Sequence, residues 1–122
     1  MFNNVSILLF SDNPKQLADF YGKVLEKEPE WSEGDYQGFM VGSVGFAIGP
    51  HDKVHGKNKN PERVLLNFET EDVAGEFARV QALGAVVMQE PYHPDEAKDM
   101  LVSTFADPDG NYFQVVSPFK PG

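Results

Sequence analysis

Twice along this chain of 122 residues the same order of signals appears: an apolar strand, an amphipathic helix, then three short strands. Residue identity between the two copies is slight, so the repeat is one of organisation. It narrows the choice of folds sharply. A single unit of this kind has a sheet with one face uncovered, so two units are expected to pack together. The predicted class is α+β: two βαβββ modules within one domain, residues 1–122. Module one takes residues 1–49 and module two residues 63–122, with a connector at 50–62.

In the first copy, residues 5–10, "VSILLF", are apolar and bounded by "SDNP", which predicts a buried strand. Asn13 is placed as an N-cap, with Pro14 at the first helical position and Gln16 set for a capping box. Leu17, Phe20, Tyr21, Val24 and Leu25 form one apolar helix face, and Pro29 stops the helix. Strands are predicted at 30–33, 36–41 and 45–49, punctuated by glycines. The segment 50–62, "PHDKVHGKNKNPE", is polar and aperiodic, hence the connector.

The second copy opens with a strand at 64–68. Thr70 or Asp72 can cap a helix whose apolar face is Val73, Phe77, Val80 and Leu83, closed by Gly84. Strands follow at 85–89, ended by Glu90-Pro91, then at 101–106 and 111–117. Between the last two, "DPDG" predicts a tight turn, with Pro108 fixing φ and Gly110 supplying a positive one. In the final strand Tyr112, Gln114 and Val116 share a face, while Phe113 and Val115 take the other. Gln114 is then an amide among apolar neighbours. Burying it is costly unless it is bonded, so it faces either solvent or a polar pocket.

Composition excludes several classes. Hydrophobic residues make up 41% and charged residues 24%, as in ordinary globular domains. No apolar run reaches membrane-span length, and the N-terminus lacks a basic region and a cleavage site, so neither a span nor a signal peptide is expected. Cysteine is absent, which excludes disulfides and thiolate sites and suits the cytoplasm. The formal net charge of −9 repels phosphate backbones and anionic bilayers, so no nucleic-acid or membrane partner is expected. It favours a cationic ligand over an anionic one.

The helix stretch "DFYGKVL" (residues 19–25), the repeated module and the closing "DPDGNYFQVV" (residues 107–116) together resemble the glyoxalase/bleomycin-resistance family of the vicinal oxygen chelate superfamily. The resemblance covers nearly the whole chain. It implies two modules paired into a half-barrel cup with a concave ligand cavity, and frequent dimerisation. It also implies, for the metal-dependent members, a divalent cation held by His or Glu from the first and last strands of each module. Carried over, those positions fall on Ser6, on Ala47 or Ile48, on Leu65 and on Gln114. None is a strong ligand for such a cation. Metal-dependent glyoxalase I activity is therefore not expected, and neither a metal nor another cofactor is assigned. The first helix also has Glu26 where relatives often have glycine after "VL", a departure that touches a cap.

Alternation along the strands then assigns cavity candidates. Ser6, Leu8, Ala47, Leu65, Asn67, Tyr112 and Gln114 line the expected cavity, which is apolar with a few hydrogen-bonding groups. Each polar one reads equally well as a satisfied core group. Trp31, Tyr36 and Phe39 join them as aromatics that can stack on a planar ligand, although plain core or dimer-interface packing is the preferred reading for any one of them. His51, His55 and His93 read as solvated loop residues, since 51 and 55 lack the helix that ligand spacing would need. Glu69 reads as a rim residue.

The expected function is metal-free binding or sequestration of a small organic ligand, cationic or aromatic, by a cytoplasmic homodimer. The alternative is a lyase, isomerase or dioxygenase of the same superfamily. It would need a non-standard metal site, or acid–base work by Glu69 or a histidine.

Overall fold

The computed structural model describes residues 1–118; the last four residues of the expected second module lie outside that range. The chain divides into two compact units, one ending at Lys57 and the other beginning at Asn58. The division falls inside the polar segment expected to connect the halves.

The first unit runs β1 (Ser6–Phe10), α1 (Pro14–Leu25), β2 (Trp31–Glu33), β3 (Tyr36–Val41) and β4 (Val44–Gly49). Its sheet has the order β1-β4-β3-β2, with β1 parallel to β4 and the other pairs antiparallel. The second unit runs β5 (Leu66–Glu69), α2 (Val73–Ala82), β6 (Val86–Tyr92), a short 3₁₀ turn (Asp95–Ala97), β7 (Val102–Ala106) and β8 (Tyr112–Val116). Its order, β5-β8-β7-β6, repeats the first, again with one parallel and two antiparallel pairs. The α+β reading with two βαβββ modules holds.

Each helix covers one face of its own sheet. In the first unit Leu17, Tyr21 and Val24 meet Phe39, Phe46 and Ile48, all buried. Tyr21 and Phe46 pack edge to face at 5.2 Å between ring centres. In the second unit Phe77 lies 5.0 Å from Phe105, which stacks on Phe113 at 5.4 Å, with Phe68 beyond at 5.9 Å. These rings come from β5, β7, β8 and α2, so one aromatic row closes the core of the unit.

Several local readings change. Asn13 holds the N-cap position of α1 without a side-chain capping bond. Its amide instead donates to Gln16 Oε1 at 3.1 Å. For α2 the cap is Asp72, whose carboxylate accepts from Gly75 N–H at 3.0 Å, while Thr70 Oγ accepts from Asp72 N–H. Gly84 takes the expected positive φ after the helix. Leu83, assigned to the apolar face, is 44% exposed; it is the C-cap, where its N–H bonds Val80 O in a tighter last turn.

Strand β6 does not end at Glu90-Pro91 but runs on to Tyr92. It is an edge strand, and register shifts occur between Val87 and Gln89 and between Gln89 and Tyr92. Proline is compatible with a strand at such an edge or bulge, where its missing N–H leaves no ladder bond broken.

Candidate functional site

In each unit the sheet face away from the helix carries the polar and exposed residues. The cross-strand register orders them into rows. In the first unit Leu8, Ala47, Gly38 and Trp31 stand in one row across β1, β4, β3 and β2. In the second unit the corresponding row is Asn67, Gln114, Thr104 and Gln89 across β5, β8, β7 and β6. The same positions in the two modules thus hold apolar residues in one and amides with a hydroxyl in the other.

The polar row borders a cavity of about 280 Å³, which Glu62, Leu65, Met88, Thr104, Tyr112 and Gln114 help to line. Gln114 Nε2 donates to Thr104 Oγ1 at 2.9 Å. Thr104 is buried and Gln114 half-buried. Met88 and Gln89 both reach the cavity although they are consecutive. The bulge explains this: Val87 pairs with Phe105 and Gln89 with Thr104, so the extra residue Met88 is turned to the same side as its neighbour. Gln89 is tied to its own strand, donating to Glu90 O at 3.1 Å.

The first-unit row is built around glycine. A β-carbon placed on Gly38 would come within 2.1 Å of the Trp31 indole, and one on Gly49 within 2.3 Å of the Tyr36 ring. Both rings therefore lie against bare backbone. Tyr36 is further held by its hydroxyl, which donates to Pro50 O at 3.2 Å, and packs edge-on to Phe10. His51 also meets Phe10 edge-on, at 5.1 Å. Trp31 remains 47% exposed, so one face of the indole is open to a planar group.

The residues singled out from the sequence divide accordingly. Leu65, Tyr112 and Gln114 line one cavity. Asn67 is beside Gln114 in register and exposed. Leu8, Ala47, Trp31 and Tyr36 share the open face of the first unit, with Ser6 opposite Gly45 on the same face. Phe39 does not join them. It pairs with Phe46 on the helix-covered face and is 1% exposed, because strand alternation turns it opposite to Tyr36 and Gly38. Thr104 and Gln89 were missed, since only the register of β7 and β6 against β8 brings them to Gln114. The signal available was their type, polar residues in strands that are mostly apolar, shared with Ser103 and Glu90.

The carried-over positions do not suit a divalent cation. Ser6 and Gln114 offer neutral oxygens, Ala47 and Leu65 none, and Gln114 already engages Thr104. Among the described residues no three His, Asp or Glu side chains gather as a metal set. Of the histidines, His93 Nδ1 bonds Met100 O at 2.8 Å; that carbonyl only accepts, so Nδ1 carries the proton. A larger cavity of about 450 Å³ runs beside α1 in the first unit. Its walls include Asp19, Lys23, Glu26, Lys27 and Glu28, all exposed. Among the described residues no buried polar group lines it.

A family model described as a glyoxalase-like domain matches residues 6–116. Solved structures share the fold. A glyoxalase-related enzyme from Fulvimarina pelagi is 21% identical with a TM-score of 0.70, over 96% of this chain and 88% of that one. A hypothetical protein from S. aureus is 20% identical with a TM-score of 0.75, over 97% and 95%. The fosfomycin resistance protein FosX from Mesorhizobium loti is 14% identical with a TM-score of 0.63, over 98% and 92%. Among curated proteins none gives a significant match.

Proposed function

We propose, from the premise that this chain belongs to the glyoxalase-like domain family, that it binds a small organic molecule without a metal, at the cavity where Gln114 meets Thr104. The observation that carries this reading is the exchange of charge for neutrality at that position. Where the metal-dependent relatives are expected to hold a carboxylate, this chain has an amide already bonded to a buried hydroxyl. An amide and a hydroxyl can orient a ligand by hydrogen bonds but bind a divalent cation poorly. Apolar walls from Leu65 and Met88 with a few convergent polar groups are the usual make-up of a small-ligand site, and about 280 Å³ is near the lower size limit for one.

The Tyr112 ring on the cavity wall supports a planar aromatic ligand, and the net charge of −9 disfavours an anionic one. The protein is read as a cytoplasmic homodimer that uses neither nucleic acid nor membrane. No helix among the described residues is long and apolar enough to cross a membrane. An enzymatic reading would need a base or a Lewis acid at the cavity, and Glu62 is the one carboxylate among the described residues lining it.

Two measurements test the proposal. Elemental analysis of protein purified without chelator is expected to show no stoichiometric transition metal. Amide NMR titration with a library of small aromatics is expected to move the signals of Gln114, Thr104 and Tyr112. A tightly held metal, or ligands that shift other regions and leave these unmoved, would overturn it.

A further inference from the structure

Resting on that reading, we infer that the cavity selects neutral ligands carrying a carboxamide, lactam or imide edge: a carbonyl acceptor beside an N–H donor. The inference follows from counting hydrogen-bonding groups around Gln114. Its Nε2 donates one proton to Thr104 Oγ1. That leaves a second N–H and the carbonyl Oε1 of the same amide, and the Thr104 hydroxyl proton has no acceptor among the described residues. Turning the amide over changes which atom meets Thr104 but not the outcome, since donors and an acceptor still face outward. Gln89, whose Nε2 gives one proton to Glu90 O, lines the same cavity and keeps a second N–H and its carbonyl oxygen.

This mixture discriminates among charges. An anion would find no cation among the lining residues to offset its desolvation, in a chain already at −9. A cationic donor group could use the carbonyl oxygens and the exposed Glu62 carboxylate on the cavity wall. It would leave the Thr104 hydroxyl and the second Gln114 N–H facing it without acceptors, and a buried unpaired donor is unfavourable. A group that both donates and accepts satisfies both sides at once. A carboxamide edge meets a carboxamide side chain in paired fashion, as glutamine meets the donor–acceptor edge of adenine in nucleic-acid recognition. The open side of the cavity toward Tyr112 and Leu65 then takes the planar body of the ligand.

Three near-isosteric probes isolate the polar head: benzamide (neutral, donor and acceptor), benzoate (anionic, acceptor only) and benzamidinium (cationic, donor only). Titrations followed by the amide NMR signals of the intact protein should give benzamide the lowest Kd, about tenfold or more below the other two. Gln114→Glu, which keeps the size of the side chain, should reverse the order in favour of benzamidinium. Thr104→Val should weaken benzamide about fivefold or more, with the circular dichroism spectrum unchanged. Three results would overturn the inference: equal affinities for the three probes, tightest binding of benzoate or benzamidinium to the unmutated chain, or an unaltered order in Gln114→Glu. If the probes bind with shifts at Gln114 and Thr104 but in the wrong order, the ligand class fails while the cavity stands. If no probe shifts those residues, the binding site itself fails.

Discussion

At Gly38 the absence of a side chain has a measurable consequence. The Trp31 indole occupies the space a β-carbon would need, 2.1 Å away. The chain has a single tryptophan, so its fluorescence reports this contact alone. Gly38→Ala is expected to push the indole outward, shifting its emission to longer wavelength at a cost of about 1 kcal/mol in stability, since the exposed ring can swing away. Gly49→Ala displaces a ring that is pinned by its hydroxyl to Pro50 O, so urea unfolding should show a larger loss, about 2–3 kcal/mol. Equal and negligible losses in both variants would show that neither ring is seated on backbone. Gln114 was legible from alternation after the "DPDG" turn, and Tyr112 with it. Thr104 and Gln89 were not, because a strand's sequence says which residues share its face but not which residues of another strand stand beside them.

Among the elements, the turn at 107–111 is the most heavily bonded. Asp107 is 5% exposed and its carboxylate accepts from Asp109 N–H, Asn111 N–H and the Asn111 side-chain amide. Asn58 is joined to the same turn, donating to Asp109 O at 2.8 Å through its backbone and to Asn111 Oδ1 at 3.0 Å through its side chain. Asp107→Ala would leave those donors facing a buried void. Denaturant unfolding should show a loss of about 3 kcal/mol, and a loss under about 1 kcal/mol would mean the turn is held by its proline and glycine alone. The turn type was readable from "DPDG", whereas the bond from Asn58 depends on where the connector returns.

The outer edge of β3 has a different device. Beyond the end of β2, the backbone of Met40 is met by two side chains: Glu30 Oε2 accepts from its N–H, and Lys27 Nζ donates to its carbonyl and to Glu30 Oε1. These side chains occupy hydrogen-bonding groups that an open strand edge would otherwise offer to another chain. The Met40 N–H first, and Lys27 second, hold the Glu30 carboxyl below its ordinary value of 4.5. A carboxyl with a lowered folded-state pKa contributes its stability above the unfolded value and loses it as pH falls through the folded one. The stability margin of the unmutated chain over Glu30→Gln should therefore be present at neutral pH and vanish in acid, well below 4.5. Paired thermal melts at the two pH values measure it, and a margin that does not change with pH would separate the edge contact from ionisation. Neither this contact nor the β6 bulge has a signature in local sequence, since both depend on where one strand ends relative to its neighbour.

For the molecule as a whole, the repeat read from the sequence is repeated in the register of the strands. Leu8 opposite Ala47 corresponds to Asn67 opposite Gln114, and strand order matches throughout. Large apolar side chains stay exposed on the helix-free faces: Leu8, Trp31 and Met40 in one unit, Val86, Met88 and Tyr92 in the other. Isolated exposed apolar residues are normal, but a concentration on particular faces favours association. Sedimentation at several concentrations is expected to give a homodimer, and a monomer at every concentration would contradict the proposal. The family and the two-module architecture were legible from the motifs and the order of elements. The division of chemistry between modules was not, because it appears only when equivalent rows are compared.

That correspondence gives every side chain on the open faces a counterpart at the same address in the other module. Backbone ladders hold the addresses, so most side chains at them can be exchanged without rewriting the fold. An amide could be moved to position 47, or an alanine to 114, as parts between two copies of one frame. One address resists: the counterpart of Thr104 is Gly38, where any side chain has to displace the indole lying on it. To make the two halves alike, an engineer would have to move Trp31 first.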